Sequence, residues 1–161
     1  MNESEIRKAV ADTISKLRAG KEMTLDFARA LSRAVMKEAE RIGVKAVVCI
    51  SDAAGNPKLL ESMDGAYIAS TDIALGKAYT AVALKMSTRS LKPLAQPGAE
   101  LYGVQFTNGG KIVIFGGGEP LLGACGEIIG GLGVSGGSEA QDTMLAGYGK
   151  KIFESEIIQL R

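Results

Sequence analysis

Two short runs hold most of the reactive side chains and open backbone in this sequence. Gly76-Lys77-Ala78-Tyr79-Thr80-Ala81 places a cation, a phenol and a hydroxyl within one helical turn. Residues three apart share a helix face, so Lys77 and Thr80 are expected side by side. Tyr79 is either a ligand contact or the edge of an amphipathic core. The second run, Phe115-Gly116-Gly117-Gly118-Glu119-Pro120, offers successive glycine N–H groups of the kind that form an anion-binding concavity. No Lys-Ser/Thr pair follows, which excludes a Walker-type phosphate loop. The other reading is a wide turn across which a helix or a neighbouring subunit passes.

Gly131-Leu132-Gly133-Val134-Ser135-Gly136 matches a dinucleotide fingerprint literally. That fingerprint works only in a parallel βαβ unit with an acidic residue closing the second strand. The chain has room for one more helix after it, so these glycines are expected to be a strand crossed closely by helices. Asp52, Asp64 and Asp72 are candidate acids; two fall at turns and the third in a helix's first turn, all ordinary structural positions.

Composition narrows the chemistry further. The 161 residues contain no His, which removes Ser-His-Asp and Cys-His nucleophiles, and with only Cys49 and Cys125 the usual zinc sites cannot form. A net charge of +1 and the absence of Trp argue against a nucleic-acid surface. A mean hydropathy of +0.12 and a hydrophobic fraction of 46% suit one soluble domain, with no membrane span and no export signal. A cytoplasmic location is expected.

The positioning elements follow from periodicity. Residues 1–19 read as an amphipathic helix, with Ile6, Val10, Ile14 and Leu17 on one side and Gly20 as a stop. That segment either packs on its own domain or a sister subunit, or docks elsewhere. Thr24 caps a second helix whose stripe is Leu25, Ala28, Leu31, Val35, Ala39 and Ile42, ended by Gly43. Lys45–Ser51 and Pro57–Met63 form a β-hairpin, with Gly55 and Asn56 supplying positive φ in its turn. A helix follows from Ser70 or Thr71 to about Lys85, with another turn or two over Thr88–Leu94. Leu101–Phe106 is extended or irregular, and Lys111–Phe115, a short strand and Glu127–Val134 complete the strands. Ser138 caps the last helix, with Met144, Ala146 and Ile152 as its inward candidates. Adjacent strand runs joined by short turns predict an antiparallel sheet with helices packed on it.

The ordered set Ser51-Asp52-Ala53-Ala54-Gly55-Asn56, Met63-Asp64-Gly65-Ala66, Lys77-Ala78-Tyr79-Thr80-Ala81, Phe115-Gly116-Gly117-Gly118-Glu119-Pro120 and Gly133-Val134-Ser135-Gly136-Gly137 resembles the GlcG/HbpS family, which includes the C-terminal domain of the PduO adenosyltransferase. The likeness covers about residues 22–152. It implies an α/β fold of the α+β type, a profilin-like sandwich with a five-stranded antiparallel sheet. It also implies homo-oligomers, from dimers to octamers, and a setting in diol, glycerol or glycolate utilisation. Some members bind haem, one of them through a histidine, which this chain lacks; iron would then fall to Tyr, Met, Cys or Lys, or have no protein ligand at all. Cobalamin is the other cofactor that the resemblance brings. Residues 1–20 lie outside it and are similar to helices that target proteins to bacterial microcompartments.

The leading expectation is therefore an oligomeric accessory protein binding a planar or anionic small molecule, haem or another tetrapyrrole included. Its contacts would be Lys77, Tyr79 and Thr80, the Val104-Gln105 segment with Tyr102, and the loop Phe115, Gly116, Gly117, Gly118 and Glu119. An enzyme of small-metabolite metabolism, using Asp52, Asp72, Lys77 or Tyr79, is the first alternative. A structural microcompartment cargo is the second.

Overall fold

The computed structural model describes residues 21–159, so the helix expected over 1–19 lies outside the described residues. Helix α1 (Leu25–Arg41) begins where the Thr24 hydroxyl accepts from the Phe27 N–H at 3.2 Å, and Gly43, at φ +74°, follows its end. It buries Ala28, Leu31, Val35 and Ala39, whereas Leu25 stays exposed.

Strands β1 (Val47–Asp52) and β2 (Pro57–Ser62) make the expected hairpin, with Pro57 opening an edge strand where a missing N–H costs no ladder bond. In its turn only Gly55 takes positive φ, at +79°. Asn56 does not need it, because the Asp52 carboxylate accepts from the Ala54 and Asn56 N–H groups at 2.9 and 3.0 Å and holds the turn instead.

Helices α2 (Ser70–Ala83) and α3 (Thr88–Leu94) precede strands β3 (Gly118–Leu122) and β4 (Ile128–Ser135), and α4 (Glu139–Gln159) comes last. The sheet runs β2-β1-β4-β3 with every pairing antiparallel. Alternation along β1 sends Val48 and Ile50 into the large core under α1 and α4, and Val47 and Cys49 against Ala74 and Ala78 of α2. Helices thus cover both faces. Helix α2 crosses β4 so closely that a Cβ on Gly131 or Gly133 would collide with the Ala78 or Ala74 carbonyl. The apparent dinucleotide fingerprint is strand packing.

Three further expectations need correction. The sheet among the described residues has four strands, not five. Lys111–Phe115 is not a strand, because its backbone is held by helix α2: the Val113 N–H donates to the Thr80 hydroxyl at 2.9 Å, and Ile112 is buried. Gly76 permits that approach, since a Cβ there would lie 2.6 Å from Val113 Cγ2 and 2.9 Å from the Lys111 carbonyl. Met144 likewise faces outward at 46% exposure, while Leu145, Ala146, Phe153 and Ile157 supply the inner face of α4. Ser138 caps that helix reciprocally, donating from its N–H to Gln141 Oε1 and accepting the Gln141 N–H on its hydroxyl, at 2.9 and 3.2 Å. Leu101–Phe106 is irregular, closing in a 3-10 turn at Val104–Phe106.

Candidate ligand-binding site

Helix α2 divides the predicted site residues between two environments. Tyr79 points to a cleft of about 460 Å³ bounded by the hairpin turn, by Asp72, Leu75 and Gly76 of the same helix, and by Gly110, Lys111 and Val113. Its phenol donates to Asn108 Oδ1 at 3.0 Å, and the Lys111 ammonium stands 5.3 Å from its ring centroid, within cation–π range. Gly55 serves twice here: it supplies the turn's positive φ, and a Cβ on it would press to 2.9 Å from the Tyr79 ring. The walls of the cleft are apolar (Pro57, Leu75, Val113, the tyrosine face), with Lys111, Asp72 and Asn56 as its polar groups.

Lys77 lies elsewhere. Its side chain is 0% exposed, and its ammonium donates to Asp142 Oδ2 and to the Val134 carbonyl, each at 2.8 Å. The Phe115 ring takes a further side, 5.0 Å from Nζ to its centroid. Burial pulls the ammonium below the ordinary lysine range, against the opposing hydrogen bond and charge of Asp142 and the charge of Glu139. Asp142 also accepts the Gly137 N–H at 2.9 Å. This pair fastens α2 to the last strand and to the start of α4.

The glycine loop closes on internal acceptors. The Gly116 N–H donates to Glu139 Oε1 at 3.0 Å and the Gly118 N–H to the Thr88 hydroxyl at 2.9 Å. Glu139 is held below the usual carboxylate range by Lys92 and by that Gly116 N–H. Gly117, at φ +114°, has no room for a Cβ, which would sit 2.7 Å from both Lys77 Nζ and the Val134 carbonyl. The anion that this concavity receives is the chain's own carboxylate. Glu119 pairs with Lys150 at 3.2 Å, and Thr80 is fully buried with its hydroxyl donating to the Gly76 carbonyl at 2.7 Å.

Of the predicted contacts, Tyr79 alone lines the cleft. Phe115 borders a separate hollow of about 230 Å³ with Tyr67, Ile73 and Asp142. Tyr102 is exposed, and Gln105 keeps a buried side-chain oxygen without a partner; neither lines the cleft. Asp52 holds its turn, and Asp72 reaches the cleft rim. Sequence reasoning missed Lys111 and Asn108, which lie in a turn-rich stretch without periodicity. The only signal was the Asn108-Gly109-Gly110-Lys111 run, a turn with a polar rim. Among the described residues no cluster of His, Cys, Asp and Glu could hold a metal ion, and no helix is long and apolar enough to cross a membrane.

Comparison with known proteins agrees on one lineage. An uncharacterized 15.0 kDa protein from the dhaT-dhaS intergenic region of Citrobacter freundii is 46% identical over 124 residues, which is 77% of this chain and 87% of that protein. Corrinoid adenosyltransferase PduO of Salmonella typhimurium is 45% identical over 116 residues, 72% of this chain. The chain spans only 34% of PduO. Among solved structures, Klebsiella pneumoniae protein ORFY superposes with a TM-score of 0.80 at 41% identity, covering 83% of this chain and 91% of its own. The PduOC:heme complex superposes with a TM-score of 0.77 at 40% identity, covering 81% and 94%. The family model described as haem degrading protein HbpS-like matches residues 23–150, and the chain belongs to that family.

Proposed function

We propose that the Tyr79 cleft binds a tetrapyrrole, haem first among them, and that the protein is an accessory factor in propanediol or glycerol utilisation. Family membership supports the ligand class, as does the 40% identical PduOC solved with heme. The relative between dhaT and dhaS, together with PduO, supports the metabolic setting.

The observation that carries the reading is the chemistry of the cleft lining. Leu75, Val113 and Pro57 offer apolar walls to a flat macrocycle, and Lys111 puts a cation at the rim where a propionate would lie. Of the Tyr, Met, Cys and Lys types left for haem iron in a chain without His, Tyr79 and Lys111 line the cleft, and the phenol of Tyr79 is of the type that holds haem iron in proteins. The residues fit the group: Tyr79 would hold the iron in exchange for its Asn108 hydrogen bond, and Lys111 would hold a propionate. Haem, when bound, supplies the iron and its one-electron chemistry. The protein's part is to orient the ring and to exclude water from the face against Leu75 and Val113. Titrating the purified protein with haem and with cobalamin tests the ligand class. A saturable Soret shift with haem is expected, and no spectral change with either ligand contradicts it.

The same setting supports a docking role for residues 1–20, which lie outside the described residues, toward a microcompartment shell or enzyme. Deleting them should abolish encapsulation of a fused reporter; retained encapsulation contradicts that role.

A further inference from the structure

The segment 104–110, beside the Tyr79 cleft, is tied to the rest of the molecule by very little. Phe106 is 81% exposed, and residues 107–110 are exposed with it. Its backbone bonds are local: the Phe106 N–H donates to the Gly103 carbonyl and the Gly110 N–H to the Thr107 carbonyl, each at 2.9 Å. Among the described residues, its one hydrogen bond to a distant element is the Tyr79 phenol donating to Asn108 Oδ1 at 3.0 Å.

Two features of the segment oppose that tie. Asn108, Gly109 and Gly110 take left-handed φ one after another, at +53°, +64° and +77°. L-residues visit that region singly rather than in runs, and Asn108 has a side chain to accommodate there. Gln105 also keeps its Oε1 buried without a donor, and a stranded acceptor favours any arrangement that returns it to water. Just past the segment the chain is fast again. The Val113 N–H donates to the buried Thr80 hydroxyl at 2.9 Å, and Ile112 is buried.

Resting on the reading of Tyr79 as the iron ligand, we propose that residues 104–110 form a latch. It is shut while Tyr79 donates to Asn108 and released when the phenol oxygen is taken by the ligand. A phenol that binds iron gives its proton to solvent, so it has none left for Asn108. The shut latch and the occupied cleft therefore exclude each other, and Asn108 sets the affinity of the cleft. Apparent affinity falls with the fraction of molecules whose Tyr79 is free. Thr80 keeps the backbone beside Lys111 in place, so the propionate contact survives the release.

Amide exchange and haem titration of the full chain test this together. Without ligand, Tyr79→Phe keeps the ring and removes the donor, so the Phe106 and Gly110 amides should exchange about fivefold faster than in the parent. Saturating haem should speed the same amides in the parent. The Val113 amide should stay protected in both cases, so general unfolding cannot imitate the result. Asn108→Gly suits the left-handed backbone and removes only the acceptor. It should bind haem about fivefold tighter, the worth of one hydrogen bond. Parent-like exchange in Tyr79→Phe overturns the latch with or without ligand. A Soret shift with unchanged exchange, or an Asn108→Gly variant that binds haem no tighter than the parent, overturns the latch and leaves the tetrapyrrole reading standing. A Soret band that moves in neither protein overturns the tetrapyrrole reading, and the latch's ligand with it.

Discussion

The Lys77 ammonium is enclosed by a carboxylate, a carbonyl and an aromatic ring, and each of them belongs to a different segment of the chain. Removing one member of a buried ion pair leaves the other charge uncompensated, at a cost of about 3–5 kcal/mol. Asp142→Ala should therefore lower unfolding free energy by about that amount in urea titration, and Lys77→Met with Asp142→Leu should recover much of the loss. A cost under about 1 kcal/mol for the single variant would mean that water reaches the pair. Neither residue type announces this role. A lysine at helical spacing reads as a surface cation or a ligand contact, and its acid lies 65 positions further along the chain.

Cys49 gives a second test at the same scale. Burial pushes its thiol up to about 12 from an ordinary value near 9. The folded state thus keeps a proton that the unfolded chain releases above pH 9, so this group's stabilising effect is lost as pH rises from about 9 to 12. Lys77, lowered on folding, acts with the opposite sign: its contribution grows as pH climbs toward the ordinary lysine value of 10.5. Cys49→Ala should be less stable than the parent at neutral pH, and the gap should narrow at pH 10.5; a constant or widening gap contradicts the assignment.

Among elements, helix α2 organises the most. Its inner face meets β4 through missing side chains, its Thr80 captures the Lys111–Phe115 backbone, and its outer residues floor the cleft. Thr80→Val keeps the shape but leaves the Val113 N–H without its acceptor, which costs about 1–3 kcal/mol. Amide exchange at Val113 should accelerate in that variant, and protection equal to the parent's would show another acceptor. Gly133→Ala should destabilise by about 1–3 kcal/mol or more, because the Ala74 carbonyl cannot retreat from a Cβ. Capped and periodic elements were legible in the sequence: Thr24 and Gly43 bracket α1, and Gly55 marks the hairpin. Lys111–Phe115 was not, because an apolar run of five residues looks like a strand whether a neighbouring strand or a helix hydroxyl satisfies its amides. Met144 misled for a related reason: a helix with apolar groups on both sides has no single inward direction to read.

At the scale of the molecule, an antiparallel sheet covered by helices leaves the hairpin turn, α2 and the Gly110–Val113 segment meeting at one cleft. The layered architecture and the family were readable from ordered motifs. Of the residues named for ligand binding the cleft was readable only at Tyr79, with Asp72 as a named acid at its rim; Lys111 lines it, and Asn108 meets Tyr79, from backbone turns that carry no period. The central claim is that this cleft holds the tetrapyrrole, with Tyr79 on the iron and Lys111 on a propionate. A haem titration of Tyr79→Phe and Lys111→Glu beside the parent, followed in the Soret band, tests it most directly. Tyr79→Phe should change the band's position, and Lys111→Glu should weaken binding by about tenfold, the loss of one charged contact. Parent-like position and affinity in both variants would contradict the account.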